Sequence, residues 1–225
     1  MNAPQSKVAE NDPKPGQCLV GKPVYRKEDD RLLRGGGLFV DDAQFPRQLE
    51  MAIARCPFPS ARIRSIDTSA AKAIPGVIDI LTGFDIVAIS DPLTVLRPVP
   101  GAPKLPYYAL AVDRGVHEGH AVASIVATSR AVAEDALEQL EIDYEPLPHI
   151  TDTCELLDPS AVVVHDEILK DNLMASNIDH AGEPEKRIAD APNVLRDRFI
   201  VNHVAPLSME TRGIVVNWRS GAREL

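Results

Sequence analysis

The chain has 225 residues, 44% of them hydrophobic and 25% charged, with 24 basic against 33 acidic side chains and a formal charge of −9. That balance excludes a protein that tracks a nucleic-acid backbone or an anionic membrane surface, since both need surplus Lys and Arg; the acidity serves solubility. With aromatics at 4% and 19 prolines, the core must rest on Val, Ile, Leu and Ala, joined by sharply turned connections.

Residues 1–17 are polar, carry Pro4, Pro13 and Pro15, and read as a flexible arm without the apolar stretch of a secretory signal. Structure is expected to begin near Cys18-Leu19-Val20. Met51-Ala52-Ile53-Ala54 and Ile63-Arg64-Ser65-Ile66 predict two strands, with Pro57 and Pro59 marking a break between them. Asp67 or Thr68 can cap a short helix over 69–74, because a side-chain oxygen there satisfies a free N–H. Pro75-Gly76 ends that helix, and 77–81 resumes as a strand. Four prolines make 93–106 a long extended loop.

Ala121 to Ala127 reads Ala-Val-Ala-Ser-Ile-Val-Ala, a compact apolar run that predicts a well-buried strand. Thr128 or Ser129 then caps a helix to about Leu140, with Val132, Ala133, Ala136, Leu137 and Leu140 on one face. Ile142-Asp143-Tyr144 follows as a strand, and Pro146 and Pro148 close the unit. The expectation is a mixed α/β layer arrangement. Residues 155–185 read as polar loop or linker, and 194–204 and 214–218 as strands of a further domain. No run of about 18 apolar residues offers a bilayer span.

The candidate chemistry is sparse. Arg34-Gly35-Gly36-Gly37 is followed by strand-like Leu38-Phe39-Val40 rather than by a helix opening with Lys-Ser or Lys-Thr. It therefore reads as a tight glycine turn, not a phosphate cradle. Asp41-Asp42 would point to opposite faces of a strand and fits a turn at a strand end better than a metal pair. His117, His120, His149, His165, His180 and His203 show no zinc-ligand spacing; His117 and His120 flank Gly119 in a loop before a strand. Cys56 has no activating base nearby in sequence, and Ser208 has no nucleophile elbow. Glu210 and Arg212 read as a structural ion pair. Cys18, Cys56 and Cys154 are odd in number and far apart, which suits reduced thiols in the cytoplasm. From these residues alone the chain is an α/β protein with no self-contained active site. No catalytic, cofactor-binding or metal-binding residue is assigned.

Several segments, in one order, carry a resemblance. Leu32-Leu33-Arg34-Gly35-Gly36-Gly37-Leu38-Phe39-Val40-Asp41-Asp42 is similar to the Leu-Leu-x-Gly-x-Gly-x-Phe-x-Asp-Asp opening of molybdenum hydroxylase large subunits. Arg55-Cys56-Pro57, Ala61-Arg62-Ile63 and Ile66-Asp67 resemble that family's next stretch, with Ser60 where histidine is usual. Pro75-Gly76-Val77, Leu81-Thr82, Asp85, the 119–127 strand, Tyr144-Glu145-Pro146-Leu147-Pro148, Pro206, Met209-Glu210-Thr211-Arg212-Gly213 and Trp218 continue the order. His117-Glu118 departs from the aromatic and aliphatic pair often found before the 119–127 strand.

The chain thus resembles the xanthine dehydrogenase, aldehyde oxidase and carbon monoxide dehydrogenase family. The resemblance implies a flexible arm over 1–17 and an α/β hammerhead domain over 18–148. It further implies a linker over 149–192 and an incomplete start of the molybdopterin-binding domain over 193–225. The family's Gly-Gly-Gly-Phe-Gly loop, the glutamine before it and its distant catalytic glutamate have no counterpart in these residues. The resemblance implies a molybdopterin cofactor in the intact enzyme and none on this chain alone, with the cofactor carrying the oxidation. Its partners would be the remainder of the large subunit or a separate molybdopterin-binding chain, plus iron–sulfur and FAD subunits. A fragment of an enzyme is the leading expectation, a stand-alone scaffold subunit the second, an unrelated small-molecule-binding α/β module the third.

Overall fold

A computed structural model of the chain describes residues 20, 21, 24, 26–93, 99, 101–202, 204–219, 221 and 222. Cys18, His203 and the expected arm over 1–17 lie outside these. The chain divides into two compact units, Met1–Pro46 with Ile200–Leu225, and Arg47–Phe199.

In the first unit, helix α1 (Asp29–Leu33) ends on its glycines. Gly35, at φ +71°, donates to the Leu32 carbonyl (3.1 Å), and Gly36 donates to that of Arg31 (2.8 Å). This paired closure needs a left-handed residue where Gly35 stands. The Gly-rich stretch is therefore a helix C-cap, and of its three glycines only Gly35 needs positive φ. Val40, expected on a strand, instead opens a 3-10 helix (Val40–Asp42). Asp42 closes it by accepting the Phe39 N–H at 3.0 Å, so the aspartate pair shapes a turn. A Cβ on Gly213 would stand 2.7 Å from a Val40 methyl, so the 213 backbone passes directly over that turn.

The second unit holds the sheets. Strands β1 (Glu50–Arg55), β2 (Ala61–Asp67) and β3 (Val77–Thr82) flank helix α2 (Ser69–Lys72). Helix α3 (Gly83–Ile89) follows β3 at once. Then come β4 (Arg114–Gly115), β5 (Ala121–Ala127), α4 (Arg130–Glu138), β6 (Glu141–Pro146) and α5 (Pro184–Ala189). Pairing is antiparallel throughout, in two three-stranded sheets ordered β1-β5-β3 and β4-β2-β6.

The apolar run at β5 is the centre of the unit because both of its faces are covered. Ile125 packs with Ala71 of α2, Ile80 of β3 and Ala136 of α4. Val122 faces the other way, against Ala61 and Ile63 of β2, with Cys56 and Ala111. Two glycines permit this closeness. A Cβ on Gly115 would fall 2.6 Å from Cys56 Sγ, and one on Gly83 would collide with the Ala111 carbonyl.

The strands expected over 51–54, 63–66, 77–81, 121–127 and 142–144 and the α4 helix form where the pattern placed them. Ser129 caps α4 by accepting the Val132 N–H at 3.3 Å. Asp67 Oδ1 takes the Ser69 N–H at 2.8 Å, so it rather than Thr68 starts α2. Helices α1, α3 and α5 were not expected. For α3 the signal was present: Asp85 Oδ2 accepts both the Thr82 N–H (2.8 Å) and its hydroxyl (2.7 Å), a reciprocal cap three residues apart.

One expectation is corrected. Residues 194–204 and 214–218, expected as strands, form no strand among the described residues. Leu195 (99% exposed), Val201 (91%), Leu207 (93%) and Met209 (103%) have no apolar cover there. A β pattern becomes a strand only when a neighbour supplies the hydrogen bonds. No helix among the described residues is long and apolar enough to cross a membrane.

Candidate functional site

Of the residue types singled out from the sequence, the second unit brings together His117, His120 and Cys56, around the turn that enters β5. His120 is 6% exposed. Its ring stacks against Tyr107 (centroids 5.1 Å apart, planes 5° apart) and against His117 (4.8 Å, 22°). The Tyr107 hydroxyl lies 3.3 Å from His117 Nε2, and His117 Nδ1 lies 2.9 Å from the Glu118 carbonyl. Burial pushes the His120 pKa down, and neighbouring His117 adds to the shift.

Cys56 is buried and free. Its amide donates to the His120 carbonyl (2.8 Å), and its carbonyl accepts from Gly119 N–H (2.8 Å). Phe58 and Tyr144 pack edge to face beside it, with centroids 5.6 Å apart. Burial, with Cys56 as a lesser cause, pushes the Tyr144 hydroxyl up to about 12. That hydroxyl has no partner among the described residues.

The other candidates stay apart. His149 meets its own chain at the Leu147 carbonyl (3.4 Å), and His165 lies 3.6 Å from Glu167. Cys154 is exposed, with Arg198 Nη2 donating to its sulfur at 3.0 Å. Glu210 does not pair with Arg212; its Oε1 accepts the Val40 N–H at 3.0 Å, within the first unit. Sequence reasoning missed Tyr107, Tyr144 and Arg114. Arg114 joins Asp166 (2.9 Å), Glu167 (3.4 Å) and Ser60 (3.4 Å), and the guanidinium holds the Asp166 carboxyl below its usual range. Each of these contacts depends on chain closure over ten residues or more, for which local pattern carries no signal.

Among the described residues no group of three or more His, Cys, Asp or Glu side chains could hold a metal ion. A groove of about 380 Å³ runs between β1, α4 and β6 and is lined by Ile53, Ala54, Arg55, Pro57, Leu137, Leu140, Ile142 and Tyr144. A second, about 30 Å³, lies beside Ser60 and Arg114.

The aldehyde oxidase and xanthine dehydrogenase a/b hammerhead domain model matches residues 34–148, just over half of the chain. The chain belongs to that family. It is 32% identical, over 92% of its own length, to the carbon monoxide dehydrogenase large chain of Afipia carboxidovorans, of which it covers 27%. It is 31% identical, over 89% of its length, to 6-hydroxypseudooxynicotine dehydrogenase complex subunit gamma of Paenarthrobacter nicotinovorans, covering 25% of that protein. Among solved structures, quinoline 2-oxidoreductase from Pseudomonas putida 86 matches 76% of the chain at 33% identity and a TM-score of 0.67; the chain covers 21% of it. The hammerhead chain thus spans about a quarter of each of these two curated relatives.

A molybdenum-bound pterin, which this family implies, does not fit the groups present. Its phosphate and ring edges call for several converging donors, whereas the large groove offers Arg55 and Tyr144 on otherwise apolar walls. No reaction step is assigned to these residues.

Proposed function

We propose that the chain supplies the hammerhead portion of a molybdenum hydroxylase large subunit, and that oxidation of the substrate takes place on residues outside it. The observation that carries this reading is the partial coverage: 27% of the carbon monoxide dehydrogenase large chain and 25% of the 6-hydroxypseudooxynicotine dehydrogenase complex subunit gamma, with alignments over 92% and 89% of this chain. In this reading residues 18–148 are the hammerhead and 149–192 the linker. Residues 193–225 open the cofactor-binding part, and 1–17 are an arm. The cofactor is molybdopterin, held by the remainder of the large subunit or by a separately encoded chain. Iron–sulfur and FAD subunits carry electrons away, and the complex works in the cytoplasm, a reading that the unpaired thiols of Cys56 and Cys154 support.

The exposed apolar side chains over 195–218 favour this arrangement over an unrelated small-molecule-binding module, because uncovered apolar surface of that extent marks an interface. An affinity tag on this chain at its native locus tests the reading. The expected product contains, covalently or as a co-purifying chain, a polypeptide with the Gly-Gly-Gly-Phe-Gly loop. A chain that purifies alone and oxidises an aldehyde, purine, N-heterocycle or carbon monoxide unaided would overturn it.

A further inference from the structure

The hydrogen bonds of the His117–His120 turn set where the protons of the neutral rings sit. Only an N–H can satisfy the Glu118 carbonyl 2.9 Å from His117 Nδ1, and in the neutral ring that proton makes His117 Nε2 the acceptor for the Tyr107 hydroxyl at 3.3 Å. Tyr107 and His117 both stack on His120. Val116 N–H donates to His120 Nδ1 at 3.4 Å, which leaves the proton of neutral His120 on Nε2. That atom is buried without a partner among the described residues. A metal ion at Nε2 would have to displace this proton and leave an imidazolate, so the arrangement disfavours a metal ligand.

A second proton on His120 would sit on Nδ1, facing the Val116 N–H, donor against donor in a buried place. The same turn covers β1's end, through the Gly119–Cys56 and Cys56–His120 backbone bonds, both 2.8 Å. The titratable and charged groups around the ring are Tyr107 from the preceding loop, His117 and Glu118 from its own turn, and Arg55 and Cys56 from the end of β1. Arg55 Nη1 donates to the Gly119 carbonyl at 2.9 Å, so a fixed cation adjoins the turn. Gain of a proton at His120 therefore breaks one bond, creates a clash and adds charge beside an existing cation.

We infer that Tyr107, His117 and His120 form an acid-opened latch: protonation of His120 releases the 115–120 segment from β1, and with it Gly115, whose backbone lies so close over the Cys56 sulfur that a Cβ there would stand 2.6 Å from it, so the thiol is uncovered. The opened turn binds the proton as free histidine does, so acid shifts the population toward it. The inference is independent of the cofactor-binding reading, since it concerns residues of this chain alone.

The test is the rate at which Cys56 of the full chain reacts with 4,4′-dipyridyl disulfide between about pH 7.5 and pH 4.5. Peptide mass mapping follows the reaction, with exposed Cys154 and free glutathione as references and circular dichroism monitoring the fold. The Cys56-to-Cys154 ratio should rise severalfold on acidification, before any loss of the dichroism signal, because the closed turn disfavours the protonated ring. In His120→Gln the ratio should not vary with pH, whatever its level. A flat ratio in the natural chain, a rise that accompanies global unfolding, or an equal rise in His120→Gln would each overturn the latch.

Discussion

Tyr144 spends its ring on the core and leaves its hydroxyl without a bond, a combination that is costly on the folded side. Removal of the oxygen should therefore help. Tyr144→Phe is expected to leave stability unchanged or raise it by up to about 1 kcal/mol in urea unfolding; a loss of more than about 1 kcal/mol would show that the hydroxyl is bonded. The pH sign follows from the same burial. The phenol is pushed up to about 12 in the fold against 10.0 for the unfolded chain, so above pH 10 the unfolded state loses its proton first. Stability should then fall as pH rises from about 10 toward 12, and in Tyr144→Phe this component of the alkaline loss should vanish. None of this was legible in the sequence, where Tyr144 reads only as part of a Tyr-Glu-Pro-Leu-Pro exit. Its isolation is created by Phe58 and Cys56, which arrive from another part of the chain.

Elements were legible where one pattern held for a whole segment. The β5 run and the α4 face are long enough for period to decide them, and Ser129 marks the start of α4 with a side-chain bond. Ser129→Ala should cost about 0.5–2 kcal/mol, because it frees the Val132 N–H. Thermal unfolding measures this, and no change in midpoint would mean that water serves the helix end equally well. Short helices were harder. Four residues of α2 were read from Asp67 and Pro75, but α3 was passed over although Thr82 and Asp85 spell a cap. Apolar content alone does not separate helix from loop over the seven residues of α3, so only the cap carries the signal there. The glycines after α1 were read as a turn, and that turn proved to be the helix's own C-cap.

At the scale of the molecule, sequence order did more than any local pattern. Weak motifs spread from residue 32 to Trp218 resembled one family, and the hammerhead match over 34–148 bears that out. Pairing order of the two sheets was not legible, since β1 meets β5 across some seventy residues and nothing local encodes that partnership. The strand-like composition of 194–218 was visible, but its partner was not, and the segment therefore stands unpaired among the described residues. The central claim is that these residues position a catalytic machine whose metal-gripping part is elsewhere. The most direct measurement is molybdenum per chain, by mass spectrometry of metals, in the isolated 225-residue protein and in the assembly purified from its native locus. The account predicts background molybdenum on the isolated chain and a stoichiometric amount in the assembly. Stoichiometric molybdenum on the isolated chain would contradict it.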